Sequence, residues 1–130
     1  MILSIVEREG PMPLHRLARR VAQEHGWQRT GKRIQERVQK NLGRVERHPE
    51  FEATFLWAPG THADRVLFRG LNGRSIRDVS RAEIASVIDA NSEQLARAKD
   101  PMLPLSRLLG ISRLSQDARA YLSDLSLIHI

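Results

Sequence analysis

The sequence predicts a mainly α fold with a small β-hairpin: a winged helix-turn-helix over residues 1–74, then a helical C-terminal extension over residues 75–124. Three observations predict it. Two amphipathic helical patterns meet at Gly26, a run of aromatic and branched residues follows Pro49, and a serine–glutamate signature opens a new helical pattern at Ser80.

Taken in order, Ile2, Ile5 and Val6 stand at helical spacing, and Gly10-Pro11 ends their pattern. Pro13 falls where a first helical turn tolerates proline. Leu14, Leu17, Ala18, Val21 and Ala22 follow the i, i+3, i+4, i+7, i+8 series of an amphipathic helix. Gly26 is expected to stop that helix as a left-handed cap, with Trp27 folding back onto the core. Thr30 suits the N-cap of the next helix, whose apolar residues Ile34, Val38 and Leu42 recur every four positions. Helix, glycine turn, helix is the helix-turn-helix pattern.

Past Pro49 the period changes. Phe51–Trp57 and Arg65–Arg69 read as two strands joined across Ala58-Pro59-Gly60, and a hairpin directly after a helix-turn-helix is the order of a winged helix. Ser80-Arg81-Ala82-Glu83 matches a capping box, and Ile84, Val87 and Ile88 stripe a helix whose pattern runs on to Leu95. Asp100-Pro101 and Pro104 mark a break. A short unit follows around Leu105–Leu109 and Ser115–Asp124, with Gly110 between its halves. Gly26-Trp27-Gln28-Arg29 is echoed by Gly110-Ile111-Ser112-Arg113, and Ile34 and Val38 then align with Ala118 and Leu122. A second, smaller helix-turn-helix is one reading of the extension.

The charge is concentrated. Of 130 residues with a net charge of +6, the window Pro11–His48 holds ten Lys and Arg against three Glu, a net of +7, so the remainder is close to neutral. Charge gathered on helices that also bear an apolar face is the electrostatic footprint of nucleic-acid binding. An apolar content of 41% excludes a fully disordered chain. No apolar run approaches the roughly 18 residues that span a bilayer. Met1–Val6 is too short for a signal peptide and Glu7 follows directly. Without cysteine there is no disulfide framework and no thiolate metal site. A cytoplasmic protein without membrane contact is expected. Leu125-Ser126-Leu127-Ile128-His129-Ile130 matches a translated sequencing adapter and is expected to be non-native. With Met1 read as an internal start, the chain is expected to be a fragment.

The basic stripe is the leading site. On a helix of about 100° per residue, Arg33, Arg37, Lys40 and Arg44 fall within roughly 60° of one another, centred roughly 120° from the arc of Ile34, Val38, Leu42 and Val45. The second helix of a helix-turn-helix enters the major groove while the first crosses the backbone. That assigns Arg33 and Arg37 to base or phosphate contacts. Arg16, Arg19 and Arg20 would meet flanking phosphates, and Arg29 and Lys32 extend the basic surface. Gln35 and Asn41 are the only neutral side chains suited to base readout. Gly60-Thr61-His62 with Arg65 and Arg69 would form the wing. Phe55, Trp57 and Phe68 have the chemistry to stack on bases, although packing of the sheet against the helices is the stronger expectation. The competing reading of the whole stripe is an ordinary solvated helix face.

Catalysis finds no such constellation. His15 and His25 lie ten apart with no carboxylate at metal-ligand spacing. Gly70-Leu71-Asn72-Gly73-Arg74 lacks the lysine and hydroxyl of a phosphate-binding loop. No nucleophile elbow occurs, and the spacing of Asp64 and Asp78 favours no metal. A non-enzymatic domain without cofactor or metal is expected.

Glu9-Gly10-Pro11, Gly26, Arg29, Gly31 and Arg33-Ile34, with Ser80–Ile84 and Leu108-Leu109-Gly110 plus Arg113, resemble an uncharacterised domain found near the C-terminus of large bacterial superfamily I helicase-like proteins. Some of those proteins also carry a restriction-endonuclease-like domain before this segment. Met12-Pro13 departs from the family pattern, which has valine and histidine there. The resemblance brings no catalytic residue to this segment. It implies an accessory piece of a DNA-processing protein, with helicase or nuclease domains as covalently linked partners. Non-catalytic DNA binding through phosphate contacts is therefore the expected function. The alternative is a docking module that packs on the helicase core without touching DNA. A third possibility, a regulatory transcription factor, needs a dimerisation segment that the sequence does not offer.

Overall fold

The computed structural model describes residues 1–27, 31–50, 53–61 and 65–129, with side chains as far as residue 124. The backbone divides into two units, Met1–Thr61 and His62–Ile130, earlier than the boundary after residue 74 expected from the sequence. Among the described residues there are seven α-helices and a three-stranded antiparallel sheet, so the fold is mainly helical with a small β element.

In the first unit, α1 (Ile2–Glu9) buries Ile5 and Val6. Gly10 ends it by close approach: a Cβ there would lie 2.5 Å from the Val6 carbonyl oxygen, which the Gly10 N–H meets at 2.8 Å. Met12 and Pro13 form the short strand β1, which the sequence did not suggest. Pro13 is the N-cap of α2 (Leu14–Glu24), one place ahead of the helix rather than within its first turn. Leu17, Ala18, Val21 and Ala22 are its buried stripe, as the 3.6-residue period requires. The helix α3 (Lys32–Lys40) has Gly31 at its N-cap; the proposed cap Thr30 lies outside the described residues. Val38 is buried on α3, while Leu42 and Val45 continue the core beyond the helix end. With Ile5, Val6, Met12, Leu17, Val21 and Leu56 they close one hydrophobic cluster.

The hairpin is not the one expected. β2 (Glu46–Glu50) pairs antiparallel with β3 (Ala53–Trp57), with Glu46 opposite Trp57 and Glu50 opposite Ala53, and the strand order is β1-β3-β2. Residues 65–69 form no strand, so Arg65 and Arg69 are not part of a hairpin. Neither is Gly60-Thr61 between its strands, since Ala58–Thr61 follow β3; residues 51–52, between β2 and β3 in the sequence, and His62 lie outside the described residues. The physical reason is that β2 is an edge strand exposed along Glu46–Pro49, so burial writes no apolar alternation into it, and an edge tolerates Pro49. Central β3 carries the signal instead, with Phe55, Leu56 and Trp57 all buried. Phe55 and Trp57 are thereby core residues and offer no face to a base.

In the second unit, a 3₁₀ turn (Ile76–Asp78) leads into α4 (Arg81–Ala90). The capping box is present: Ser80 Oγ accepts from the Glu83 N–H, and the Glu83 carboxylate accepts from the Ser80 N–H. The helix stops at Ala90 rather than running on to Leu95. Asn91 leaves helical geometry with its Nδ2 donating to the Val87 carbonyl at 2.9 Å, and α5 (Ser92–Arg97) starts anew. Pro104 does not break the chain; it stands in the first turn of α6 (Met102–Leu108), where its missing N–H costs nothing. Gly110, at φ +83°, separates α6 from α7 (Gln116–His129). Ile84, Ile88, Leu95, Leu105, Leu109, Tyr121 and Leu122 make a second hydrophobic cluster, against which Phe68 packs half-buried.

Candidate nucleic-acid interface

The end of α2 is tied by two hydrogen bonds. The Gly26 N–H donates to the Gln23 carbonyl at 3.0 Å and the Trp27 N–H to the Ala22 carbonyl at 2.8 Å, with Gly26 at φ +72°. This is the Schellman arrangement, in which glycine takes the left-handed position without a Cβ clash. The expected return of Trp27 to the core does not occur. Its side chain is 45% exposed, with the indole stacked on His25 at 4.5 Å and 17°.

On α3, Val38 faces the core and Ile34 and Gln35 are half-buried, leaving Lys32, Arg33, Arg37 and Lys40 exposed. At about 100° per residue, Arg33, Arg37 and Lys40 share one face. No hydrogen bond or ion pair to a described residue engages these three side chains. Arg44 does not complete the stripe as a helical residue. The helix ends at Lys40, Asn41 caps it with Nδ2 donating to the Arg37 carbonyl at 2.6 Å, and Gly43 turns the chain at φ +58°. Arg44 is exposed on that turn. Asn41, a candidate base reader, spends its amide on the cap.

The remaining candidates separate by their surroundings. Arg20 is a clamp between helices: its Nε donates to both Glu9 carboxylate oxygens at 2.8 and 3.0 Å, and its other nitrogens to Gln23 at 2.9 Å and Glu24 at 3.1 Å. Those bonds hold the Glu9 carboxyl below its ordinary value and push the Arg20 guanidinium further up. With two carboxylates beside it, Arg20 adds little positive potential outside the protein. Arg19 is exposed and Arg16 half-buried. Arg29 lies outside the described residues. Arg65 and Arg69 belong to the second unit. Arg47 on β2, not singled out from the sequence, is exposed with its guanidinium 3.3 Å from the Gln39 carbonyl. Only the β2–β3 pairing marks it as a hairpin cation.

Below α3 an open groove of about 810 Å³ is lined by Ile34, Val38 and Leu42, by Ile2, Leu3 and Trp27, and by Arg37 and Arg44. Among the described residues no group of three or more His, Asp or Glu side chains is placed to hold a metal ion, and no helix is long and apolar enough to cross a membrane.

Residues 1–36 match a family model described as a protein of unknown function (DUF3320). The match spans α1, β1, α2 and the start of α3, and includes Glu9-Gly10-Pro11, Gly26, Gly31 and Arg33-Ile34. No curated protein and no solved structure matches the chain.

Proposed function

We propose that the first unit is a winged-helix module that binds nucleic acid through its basic α3 face, as a non-catalytic accessory of a larger helicase- or nuclease-type protein. The order α1–β1–α2–α3–β2–β3, with β3 central in a three-stranded sheet, supports the winged-helix reading, in which α3 would serve as the recognition helix. The observation that carries the function is the face of Arg33, Arg37 and Lys40: exposed, turned from the buried Val38, and paired with no described carboxylate. Arg47 on the hairpin and Arg19 on α2 extend it. Cations of this kind meet phosphates and carry little sequence information. The expected affinity is non-specific, on the order of 10⁻⁴ to 10⁻⁶ M at physiological salt. The helicase context rests on the sequence resemblance alone.

Fluorescence anisotropy of the full chain with a duplex oligonucleotide at two salt concentrations tests the proposal. Three neutralised phosphates give a slope of log K against log salt of about −2.7, and the R33E/R37E/K40E variant abolishes binding. Absence of binding by the folded wild-type chain at tens of micromolar in low salt overturns it. That result would favour a second reading, supported by the exposed Leu103 and Leu108 on α6: docking onto a covalently linked domain.

A further inference from the structure

We infer that the groove below α3 accepts an unstacked nucleobase, so that the interface prefers single-stranded or locally opened nucleic acid over intact duplex. The inference rests on the proposed phosphate-binding role of α3 and adds the state of the strand.

Four features meet in this groove. Ile34, Val38 and Leu42 give its lining an aliphatic part. Its lining includes Trp27, whose indole is already stacked on His25 at 4.5 Å and 17° and is still 45% exposed. A two-ring stack of this kind is extended by a third flat ring. Arg37 and Arg44 line the groove, and no Asp or Glu does among the described residues, which suits a ligand with an apolar flat part and an anionic part attached. Arg37 also belongs to the exposed face of α3, so one side chain joins the phosphate track to the groove. Within a duplex both faces of every base are covered by its neighbours; only an unstacked base offers a face to an indole. The volume of about 810 Å³ lies within the roughly 300–1,000 Å³ of ordinary ligand pockets.

The backbone holds Trp27 in place independently of its side chain, through the Gly26 and Trp27 N–H bonds to α2. Replacement of the indole therefore removes the platform and leaves the turn. Base–aromatic stacking lost to alanine weakens binding roughly five- to hundredfold per base.

The test compares wild type, W27A and W27F as full chains against three probes of equal phosphate count: a single-stranded oligothymidine, the same length of abasic strand, and a duplex. Thermal melts by circular dichroism confirm that each variant is folded. W27A is expected to bind oligothymidine roughly five- to hundredfold more weakly than wild type, W27F to restore most of that loss, and all three proteins to bind the abasic strand and the duplex alike. Equal weakening on all three probes, or unchanged oligothymidine binding by W27A, overturns the base slot while the α3 proposal stands. If wild type binds none of the probes in low salt, the α3 reading fails and the base slot with it. Concentration-dependent dimerisation that W27A removes, without any effect on oligothymidine, also overturns the base slot and gives the groove to a second copy of the chain.

Discussion

At Gly26 and at Gly110 a helix ends with the same pair of backbone bonds. Gly110 N–H donates to Arg107 and Ile111 N–H to Ser106 at 3.1 and 2.9 Å, matching Gly26 to Gln23 and Trp27 to Ala22 at 3.0 and 2.8 Å. Both glycines have positive φ. The side chains that follow diverge: Ile111 is half-buried against the second cluster, while Trp27 is 45% exposed. A left-handed glycine and two hydrogen bonds are thus enough to stop a helix, and packing of the next residue is a separate matter.

The arginines divide in the same way. In the second unit Arg74 is buried against Glu83 at 3.1 Å, Arg77 pairs with Asp117 and lies over the Tyr121 ring, and Arg119 pairs with Asp100. Asp117 is held below its ordinary value by the Arg77 hydrogen bond. In the first unit Arg20 is paired, but Arg33, Arg37 and Lys40 form no ion pair with a described carboxylate. The second unit spends Arg74, Arg77 and Arg119 on its own architecture while Arg97, Lys99, Arg107 and Arg113 are exposed at scattered positions; the first unit gathers three exposed cations on one face of α3.

The largest effect that breaks this contrast is at Glu83. Glu83→Ala strands the Arg74 guanidinium in a buried site and removes the capping box, and the loss of one partner of a buried pair costs about 3–5 kcal/mol. Arg37→Ala on the exposed face changes stability by less than about 0.5 kcal/mol. Urea denaturation of both variants checks the difference. Next in size, Gly26→Ala and Gly110→Ala each lose about 1–2 kcal/mol because both force a side chain into the left-handed region. Equal losses at the two sites, read from urea midpoints, sharpen the claim that the two stops are alike. A third pair separates the residues that follow: Ile111→Ala loses about 1 kcal/mol of packing, whereas Trp27→Ala stays within about 0.5 kcal/mol, as differential scanning calorimetry can show.

The smallest effect depends on pH. Arg20 lowers the folded-state pKa of Glu9, so the pair stabilises the fold at pH above the ordinary glutamate value of 4.5, and that contribution is lost as pH falls through the lower folded value. For a partly exposed pair it is worth about 0.5 kcal/mol. Glu9→Gln removes this at neutral pH and shrinks the drop in urea midpoint between pH 6 and pH 3; an unchanged pH dependence rejects the assignment.

Much of this was legible in the residues. The 3.6-residue period placed α1 and α2, the serine–glutamate spacing placed the start of α4, and the angular spacing of Arg33, Arg37 and Lys40 put them on one face. What escaped has physical causes. Met12-Pro13 is too short a strand to carry a pattern. Val66-Leu67-Phe68 resembles a strand in composition, yet Leu67 is 72% exposed and the Phe68 N–H is met by Ser86 Oγ at 3.1 Å rather than by a neighbouring strand. Arg44 left the helical stripe because Asn41 caps α3 three residues before it. An aromatic after a glycine stop is ordinarily a packing contact, so the exposure of Trp27 had no signal in the sequence.

The polar run that concealed β2 has a consequence for how the protein behaves at high concentration. An edge strand offers unpaired N–H and C=O groups on which another chain can template itself, and aggregation begins at such edges. Here the exposed edge bears Glu46, Arg47 and His48, with Pro49 contributing no N–H at all. An incoming strand would have to desolvate those polar groups and forgo a ladder bond at the proline. The sheet stops growing at its outer strand, and the molecule carries its own guard against intermolecular β-pairing.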